Sequence, residues 1–286
     1  MSAGTVAVVT GASRGAGRGI AIALGAHGCT VYVTGRSEKR GDAPLSGTIH
    51  ETAEAVTTAG GEGIAVRVDH ADDAQVQALF EQVRSRHGRL DILVNNACAI
   101  HDRLTERGPF WEKPLELVDM LDVGLRSGYV ASYYAAPLMV AQRCGLVVFT
   151  SASGAVHYVF GPAYGAHKAG MDKFAADMAV DFRPHGVAAL SIWMGAVLTE
   201  RLRNVIASDP VKLGHLESTA ETAEFTGHVV WALYRDPARM EMSGRTLIGA
   251  ELARKYGILD AGGRQPPSYR DTHHVEPRVQ YPLVIR

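Results

Sequence analysis

The chain has 286 residues, 47% of them hydrophobic, and its 29 basic and 30 acidic side chains leave a formal net charge of -1. Such a balance gives no field that would attract nucleic acid or an anionic membrane, so a small molecule is the expected partner. Three cysteines without a CxxC pair argue against disulfides and structural zinc, and no metal site is expected. The absence of a basic leader and of any apolar run of about 18 residues predicts a cytoplasmic protein.

Short apolar segments and helical patterns alternate along most of the chain. Strands are predicted over residues 5–10, 30–34, 64–68, 90–94, 145–150 and 188–193. Helices are predicted over 20–24, 73–87, 114–141, 164–183 and 222–234, and residues 41–59 are predicted to form a loop and a helix. Fully apolar strands separated by helices are typical of a parallel sheet that is covered on both faces. The sequence therefore predicts one α/β domain over residues 1–262, with a doubly wound parallel sheet and helices on both faces.

The segment after residue 262 has a different composition. It contains four prolines and little apolar periodicity. We expect residues 263–286 to form an extended tail that lies over its own domain or over a neighbouring molecule.

A glycine-rich turn joins the first strand to the first helix. Its GxxxGxG spacing allows backbone amides at a helix N-terminus to approach a pyrophosphate, which bulky side chains would block. A glycine pattern alone also fits a structural turn, but the position between a strand and a helix is the context that a dinucleotide site requires. The candidate cofactor-binding residues of this turn are Gly11, Ser13, Arg14, Gly15, Ala16 and Gly17.

Cofactor preference depends on the end of the second strand. An acidic residue there would bind the ribose hydroxyls of NAD, whereas this strand ends in Gly35-Arg36. Arg36 and Arg14 can pair with a 2′-phosphate, so NADP(H) is favoured and NAD(H) is possible, unless both arginines are ordinary surface charges. Asp69 is a candidate for the adenine edge, and Asn95 and Ala97 are candidates for the adenosine ribose.

A tyrosine and a lysine lie four residues apart in Tyr164-Gly165-Ala166-His167-Lys168. On a helix this spacing places the phenol and the ammonium on one face, where the ammonium can promote proton exchange by the phenol. The YxxxK pattern is common by chance, but Ser151 stands 13 positions earlier at the end of a strand, where its hydroxyl can bind a substrate oxygen. Ser153 is the alternative for that role.

These features in this order resemble the short-chain dehydrogenase/reductase family over roughly residues 5 to 250. The resemblance implies a Rossmann-type domain of about seven strands that binds NAD(P)(H) without metal and moves hydride to or from a carbonyl carbon. It assigns acid/base chemistry to Tyr164, polarisation of the substrate oxygen to Ser151, and ribose binding to Lys168. Thr199 stands where the family has a hydroxyl near the nicotinamide amide and the pyrophosphate.

The chain departs from the family pattern at three places. Gly124 replaces an asparagine that supports a proton-relay water, Cys98 replaces a glycine, and Trp193-Met194-Gly195 replaces a Pro-Gly pair. Four segments resemble the dehydrogenase/reductase (SDR family) member 1 group: Asn95-Asn96-Ala97-Cys98, residues 100–114 with Phe110-Trp111-Glu112, Val123-Gly124-Leu125-Arg126 and residues 252–257. The missing relay side chain leaves open an NADP(H)-binding sensor or interaction protein with little catalysis, and alcohol oxidation is a further alternative.

Large apolar side chains are predicted to surround the nicotinamide site and to favour an apolar ketone or aldehyde. They are Trp111, Tyr158, Phe160, Trp193, Met194 and Leu202, each of which could equally pack a core or an interface. Alanine-rich helices over 128–141 and 163–182 could pack against a second copy, so a homodimer or homotetramer is expected, partly on the habits of the family.

Overall fold

A single seven-stranded parallel sheet organises the protein, which is described by a computed structural model over residues 4–286. The strand order is β3-β2-β1-β4-β5-β6-β7, and all neighbouring strands run parallel. The strands are β1 (Val6–Val9), β2 (Thr30–Gly35), β3 (Glu62–Arg67), β4 (Ile92–Asn95), β5 (Gly145–Ser151), β6 (Val187–Trp193) and β7 (Thr246–Ile248). The predicted fold class is confirmed, and β7 is a strand that the sequence pattern did not locate.

Helices cover both faces of the sheet. They are α1 (Gly15–Ala26), α2 (Ile49–Thr58), α3 (Asp73–His87), α4 (Ser127–Gln142), α5 (Pro162–Phe182), α6 (Glu200–Ser208), α7 (Pro210–Leu213), α8 (Leu216–Thr219), α9 (Phe225–Arg235), α10 (Arg239–Met242), α11 (Gly249–Tyr256) and α12 (Tyr269–Thr272). Helices α1, α2, α9 and α11 pack on one face, and α3, α4 and α5 pack on the other. Among residues 4–286, no helix is long and apolar enough to cross a membrane.

Alternate residues of each central strand enter opposite cores. In β1, Ala7 and Val9 join the core under α1 and α9, whereas Val6 and Val8 join the core under α3 and α4. Side chains of a strand alternate between the two faces, so a sheet covered on both sides needs apolar residues at every position. This is why the strands appear in the sequence as uninterrupted apolar runs.

The predicted helix over 114–141 was wrong in its first half. Residues Leu115–Val118 form a short 3-10 turn, and the wider turn Leu121–Arg126 is broken at Gly124, which has φ 153° and ψ -82°. That φ lies in the region that favours glycine, so the apolar periodicity continues where the backbone cannot stay helical. The Ser127 hydroxyl accepts a hydrogen bond from the Gly124 amide at 3.0 Å, and α4 begins there.

The first part of the tail lies on its own domain and includes α12. The Ser268 hydroxyl donates to Glu251 of α11 at 2.7 Å, and Arg254 pairs with Asp271 at 3.0 Å. From residue 278 onward every side chain is exposed. The two parts of the tail therefore differ in how firmly the domain holds them.

A buried carboxylate ties the start of β1 to the start of β4. Asp91 has no exposed surface, and its oxygens accept hydrogen bonds from the Val6 amide at 2.8 Å and the Tyr234 hydroxyl at 3.1 Å. Arg89 donates two further bonds to it, at 2.9 and 2.7 Å. These four donors compensate for the desolvation of the charge.

Replacing this carboxylate should weaken the whole domain. We expect Asp91→Ala to lower the free energy of unfolding by about 3 kcal/mol, because an amide, a hydroxyl and a guanidinium lose their acceptor together. Urea unfolding followed by circular dichroism measures the change. Asp181→Ala, which removes an exposed partner of Arg286, is the control and should have little effect. Equal stability of the two variants would contradict the assigned role of Asp91.

Candidate active site

The carboxyl ends of β1 and β4 approach each other where the strand order reverses. The Thr10 hydroxyl accepts hydrogen bonds from the amides of Asn96, at 2.9 Å, and Ala97, at 3.0 Å. Gly11 has φ 64°, and a Cβ on it would lie 2.6 Å from the Cα of Ala97. Glycine is therefore required at this contact, which forms the floor of the crevice where ligands bind in open parallel sheets.

The glycine turn presents the N-terminus of α1 at that crevice. Gly15 has φ 59°, and a Cβ on Gly17 would lie 2.4 Å from Nδ2 of Asn96. That amide nitrogen donates to the carbonyl groups of Thr10, at 2.9 Å, and Gly11, at 3.1 Å. Ala16 lies between the two glycines in the first turn of α1. The structure thus brings Gly11, Gly15, Ala16 and Gly17 together around one helix N-terminus.

A carboxylate of the chain itself lies at this helix N-terminus. Glu200 accepts a hydrogen bond from the Gly15 amide at 3.0 Å. Thr199 caps α6 through the Leu202 amide at 3.2 Å, and its methyl group would lie 3.5 Å from a Cβ on Gly15. Helix N-termini favour anions, so the position held by Glu200 is suited to a phosphate oxygen. Thr199 was predicted from the sequence, whereas Glu200 belongs to no recognisable motif.

The two candidate arginines differ in how they are held. Arg14 donates to the Ser37 hydroxyl at 2.7 Å and to the Gly47 carbonyl at 2.8 Å, while its neighbour Ser13 is buried. Arg36 has 67% of its side-chain surface exposed, and its guanidinium lies 3.8 Å from Asp69. Arg36 and Asp69 are therefore neighbours just after the ends of β2 and β3, and the exposed Arg36 side chain is free to reorient.

Asn95 and Ala97 contribute to the wall of the crevice in different ways. Asn95 is buried, and its side-chain nitrogen donates to the Ser132 hydroxyl of α4 at 2.9 Å. Ala97 is buried under Gly11. The Asn95 side chain thus links β4 to α4.

Ser151, Tyr164 and Lys168 come together at the carboxyl end of β5. The Ser151 hydroxyl donates to the Lys168 carbonyl at 3.2 Å, and Nζ of Lys168 donates to the Thr150 carbonyl at 3.1 Å. The ammonium lies 5.7 Å from the centre of the Tyr164 ring. Ser153, the alternative hydroxyl, lies 3.0 Å from Nε2 of His157. The three predicted residues form one cluster.

Burial dominates the acid/base properties of this cluster. It raises the pKa of the Tyr164 phenol above its usual range, and the Tyr269 phenol and the Cys98 thiol act in the same direction. It lowers the pKa of the Lys168 ammonium, while Cys98 and Asp172 oppose that change. The chain's own groups therefore keep Tyr164 protonated, as a proton donor requires.

A histidine fills the space beside Gly124. A Cβ on Gly124 would lie 2.9 Å from Nε2 of His167, and Nδ1 of His167 lies 3.8 Å from the Cys98 sulfur. Burial lowers the pKa of His167 to about 2, so the ring is neutral. Its Nε2 has no hydrogen-bond partner within residues 4–286. Cys98 and Gly124, two of the residues that depart from the family pattern, therefore both lie next to the imidazole of His167.

A second buried carboxyl group supports the segment that follows β6. Glu221 exchanges backbone hydrogen bonds with this segment, from its amide to Ala196 at 2.7 Å and from the Leu198 amide to its carbonyl at 2.8 Å. Burial raises the pKa of the Glu221 carboxyl from 4.5 to about 8, and a hydrogen bond from the Gly195 amide opposes this. No sequence motif marks Glu221, because its role depends on a bridge between distant segments.

Only some of the large apolar side chains predicted to surround the nicotinamide site lie near the cluster of Ser151, Tyr164 and Lys168. Trp193 is fully buried, and its indole nitrogen donates to Asp172 at 2.9 Å, whereas Trp111 and Tyr158 are each 73% exposed. Phe160 packs edge-on against Tyr164 with ring centres 5.2 Å apart. Phe160 thus contacts the cluster at Tyr164 and Trp193 neighbours Ser151 in the sheet, while Trp111 and Tyr158 face solvent.

Known proteins share this sequence pattern. The family model described as short chain dehydrogenase matches residues 5–209. The human protein named dehydrogenase/reductase SDR family member 1 is 43% identical over 93% of this chain and 86% of its own length. A 3-oxoacyl-[acyl-carrier-protein] reductase of Synechocystis is 30% identical over 84% of the chain and 93% of its own length.

Solved structures share the fold. A putative dehydrogenase from Xanthomonas campestris superposes with a TM-score of 0.76 at 26% identity, covering 93% of this chain and 94% of its own. A short chain dehydrogenase from Mycobacterium thermoresistibile gives a TM-score of 0.75 at 25% identity, covering 92% of both chains. The likeness extends well past the glycine turn to nearly the whole chain.

The buried Glu221 should make stability depend on pH. Its carboxyl is protonated in both states below about pH 4.5, but between about 4.5 and 8 it ionises only in the unfolded chain, so stability falls as pH rises. Glu221→Gln removes this loss. We expect the variant to gain about 2–4 kcal/mol over the wild type between pH 5 and pH 8, measured by urea unfolding.

An exposed glutamate provides the control for this comparison. Glu217 lies nearby in α8 and is exposed, so Glu217→Gln should follow the wild type at every pH. A difference between Glu221→Gln and the wild type that does not change with pH would show that Glu221 ionises normally.

Proposed function

The chain belongs to the short-chain dehydrogenase/reductase family, oxidoreductases that act on CH–OH and C=O groups with a nicotinamide cofactor, and on that premise we propose that it is an NADPH-dependent carbonyl reductase. The proposed substrates are apolar ketones and aldehydes. The observation that carries the proposal is the cluster of Ser151, Tyr164 and Lys168 beside the crevice at the β1–β4 switch point. This arrangement supports a proton donor beside a crevice that fits a dinucleotide.

The residues around the crevice fit a nicotinamide dinucleotide. Side chains at Gly11 and Gly17 would collide with the wall, and their absence leaves backbone amides accessible at the start of α1. The Gly15 amide, which donates to Glu200, would instead donate to the pyrophosphate, with Thr199 alongside. When bound, the cofactor supplies the hydride that is transferred to the substrate carbon.

The chain's own residues handle the substrate oxygen and the proton. Tyr164 donates its phenolic proton to the carbonyl oxygen, and the Ser151 hydroxyl donates a hydrogen bond to that oxygen as it gains negative charge. Lys168 holds the nicotinamide ribose and stabilises the tyrosinate that remains. In the overall reaction, a ketone, NADPH and one proton give an alcohol and NADP⁺. The proton that Tyr164 donates is replaced from solvent. The raised pKa of Tyr164 supports its role as the acid in the reducing direction.

The proposed preference for NADPH rests on charge at the end of β2. Arg36 is exposed and lies 3.8 Å from its only acidic partner, so it can turn toward a 2′-phosphate, and the end of β2 carries glycine rather than an acidic residue at position 35. Ser13 and Arg14 border the same end of the glycine turn, and Asp69 lies beside Arg36. NAD(H) would lack the charge interaction and bind more weakly.

We also propose that the enzyme is a cytoplasmic homodimer or homotetramer. Short-chain dehydrogenases commonly assemble, and α4 exposes the rings of Tyr129 (50%) and Tyr133 (63%). Packing of α4 and α5 against the same helices of a second copy would bury them.

The activity test uses NADPH, and separately NADH, with a panel of apolar ketones, aldehydes and quinones, followed at 340 nm. We expect turnover with NADPH, and a loss of at least about 100-fold in kcat for Tyr164→Phe, because the proton donor is removed. Tyr158→Phe, which alters an exposed phenol in the preceding loop, is the control. Tight NADPH binding without turnover of any compound would contradict the proposal and favour an NADP(H)-binding sensor.

The cofactor preference has its own test. Arg36→Ala should lower kcat/KM for NADPH by about tenfold and leave that for NADH within about twofold, because only NADPH carries the 2′-phosphate. Arg40→Ala is the control, since Arg40 is an exposed neighbour that pairs with Glu51 at 2.8 Å. Equal losses with both cofactors would contradict recognition of the 2′-phosphate by Arg36.

A further inference from the structure

The short helix α12 places an aromatic side chain from the tail beside the catalytic cluster. The ring of Tyr269 lies edge-on to that of Trp193, with centres 6.5 Å apart and an interplanar angle of 81°. Ala155 and Val156, which follow Ser151 in the β5–α5 loop, belong to the same apolar cluster. Tyr269 thus bridges the carboxyl ends of β5 and β6, where the substrate pocket of this fold is found.

The phenol of Tyr269 reaches the polar groups of the site. Burial and the Glu221 carboxylate together raise its pKa to about 12, and the neighbouring Ser153 hydroxyl opposes this. Ser153 also contacts His157, whose ring is 6.3 Å from that of His273 in the tail. The tail therefore approaches the loop between Ser151 and Tyr164 at two points, near Ser153 and at His157.

The segment that carries Tyr269 is anchored firmly on one side. Glu251 of α11 accepts from the Ser268 hydroxyl at 2.7 Å and from Arg270 at 3.1 Å, so the residues on either side of Tyr269 share one carboxylate. The side-chain amide of Gln265 donates to the Ala250 carbonyl at 3.3 Å. These contacts direct the ring inward. By contrast, Tyr281 in the same tail is 93% exposed.

We propose that Tyr269 contacts the substrate and limits its size, so that the tail completes the substrate pocket of its own chain. The inference rests on the proposed carbonyl reductase function. Supported by the buried Trp193 behind it, the Tyr269 ring would enclose a compact apolar ketone together with Phe160. Its hydroxyl, like that of Ser153, would face the polar end of the substrate. The matching substrates are ketones carrying one small ring, rather than extended fused-ring ketones.

Two variants separate the ring of Tyr269 from its hydroxyl. The probes are acetophenone, with one ring, and the bulkier 2-acetonaphthone, each reduced with NADPH. Tyr269→Ala should lower the acetophenone to acetonaphthone ratio of kcat/KM by about tenfold, because loss of the ring opens the pocket. Tyr269→Phe keeps the ring and should keep the ratio, while the KM for acetophenone rises about threefold and kcat stays within about twofold.

The controls come from the exposed part of the tail. Tyr281→Ala and a chain ending at Glu276 should match the wild type in both probes. Thermal unfolding and NADPH binding, measured by fluorescence, check that each variant is folded. If Tyr269→Ala does not fold, the KM of Tyr269→Phe still tests contact with the substrate.

The outcomes distinguish this inference from the proposed function. Turnover by the wild type with unchanged parameters in both Tyr269 variants would overturn the role of Tyr269 and leave the reductase intact. Loss of size selection in the Glu276-terminated chain would also overturn it, because Tyr269 is still present there. No turnover of any ketone by the wild type would overturn the proposed function and this inference together.

Discussion

The hydroxyl of Thr10 is the interaction on which the arrangement of the site depends. It accepts the amides of Asn96 and Ala97 and donates to the Val94 carbonyl at 3.3 Å, so the ends of β1 and β4 are held together at the point where the strand order reverses. The same junction requires glycine at position 11, because Ala97 leaves no room for a Cβ. A single buried hydroxyl thus fixes the floor of the crevice, and both the glycine turn and the end of β5 are positioned relative to it.

Features whose physical cause is local could be predicted from the sequence. The glycine turn is detectable because positive φ and close backbone approach exclude other residues, and Tyr164 and Lys168 because the helical repeat itself brings them together. Continuous apolar strands likewise report a sheet covered on both faces. The fold class, and the meeting of Ser151 with the Tyr164 and Lys168 pair, follow from such patterns.

Features that depend on distant contacts could not be predicted. The start of α4 was misplaced because apolar periodicity continues through Gly124, whose backbone conformation is set by packing against α5. Glu200 and Glu221 match no motif, since their roles arise from the approach of segments far apart in the chain. Tyr269 lies in a proline-bearing tail without periodicity, and only the anchoring of that tail to Glu251 turns the ring toward the site.

The contact between Gly124 and His167 links two positions that are 43 residues apart. Any side chain at 124 would meet the imidazole, and the backbone at 124 also has a φ of 153°. The two positions therefore form a steric pair in which the order of change matters. A side chain at 124 is therefore accommodated only if the imidazole of His167 shifts or is replaced by a smaller group and the backbone leaves this φ, so substitutions at the two positions should not be additive.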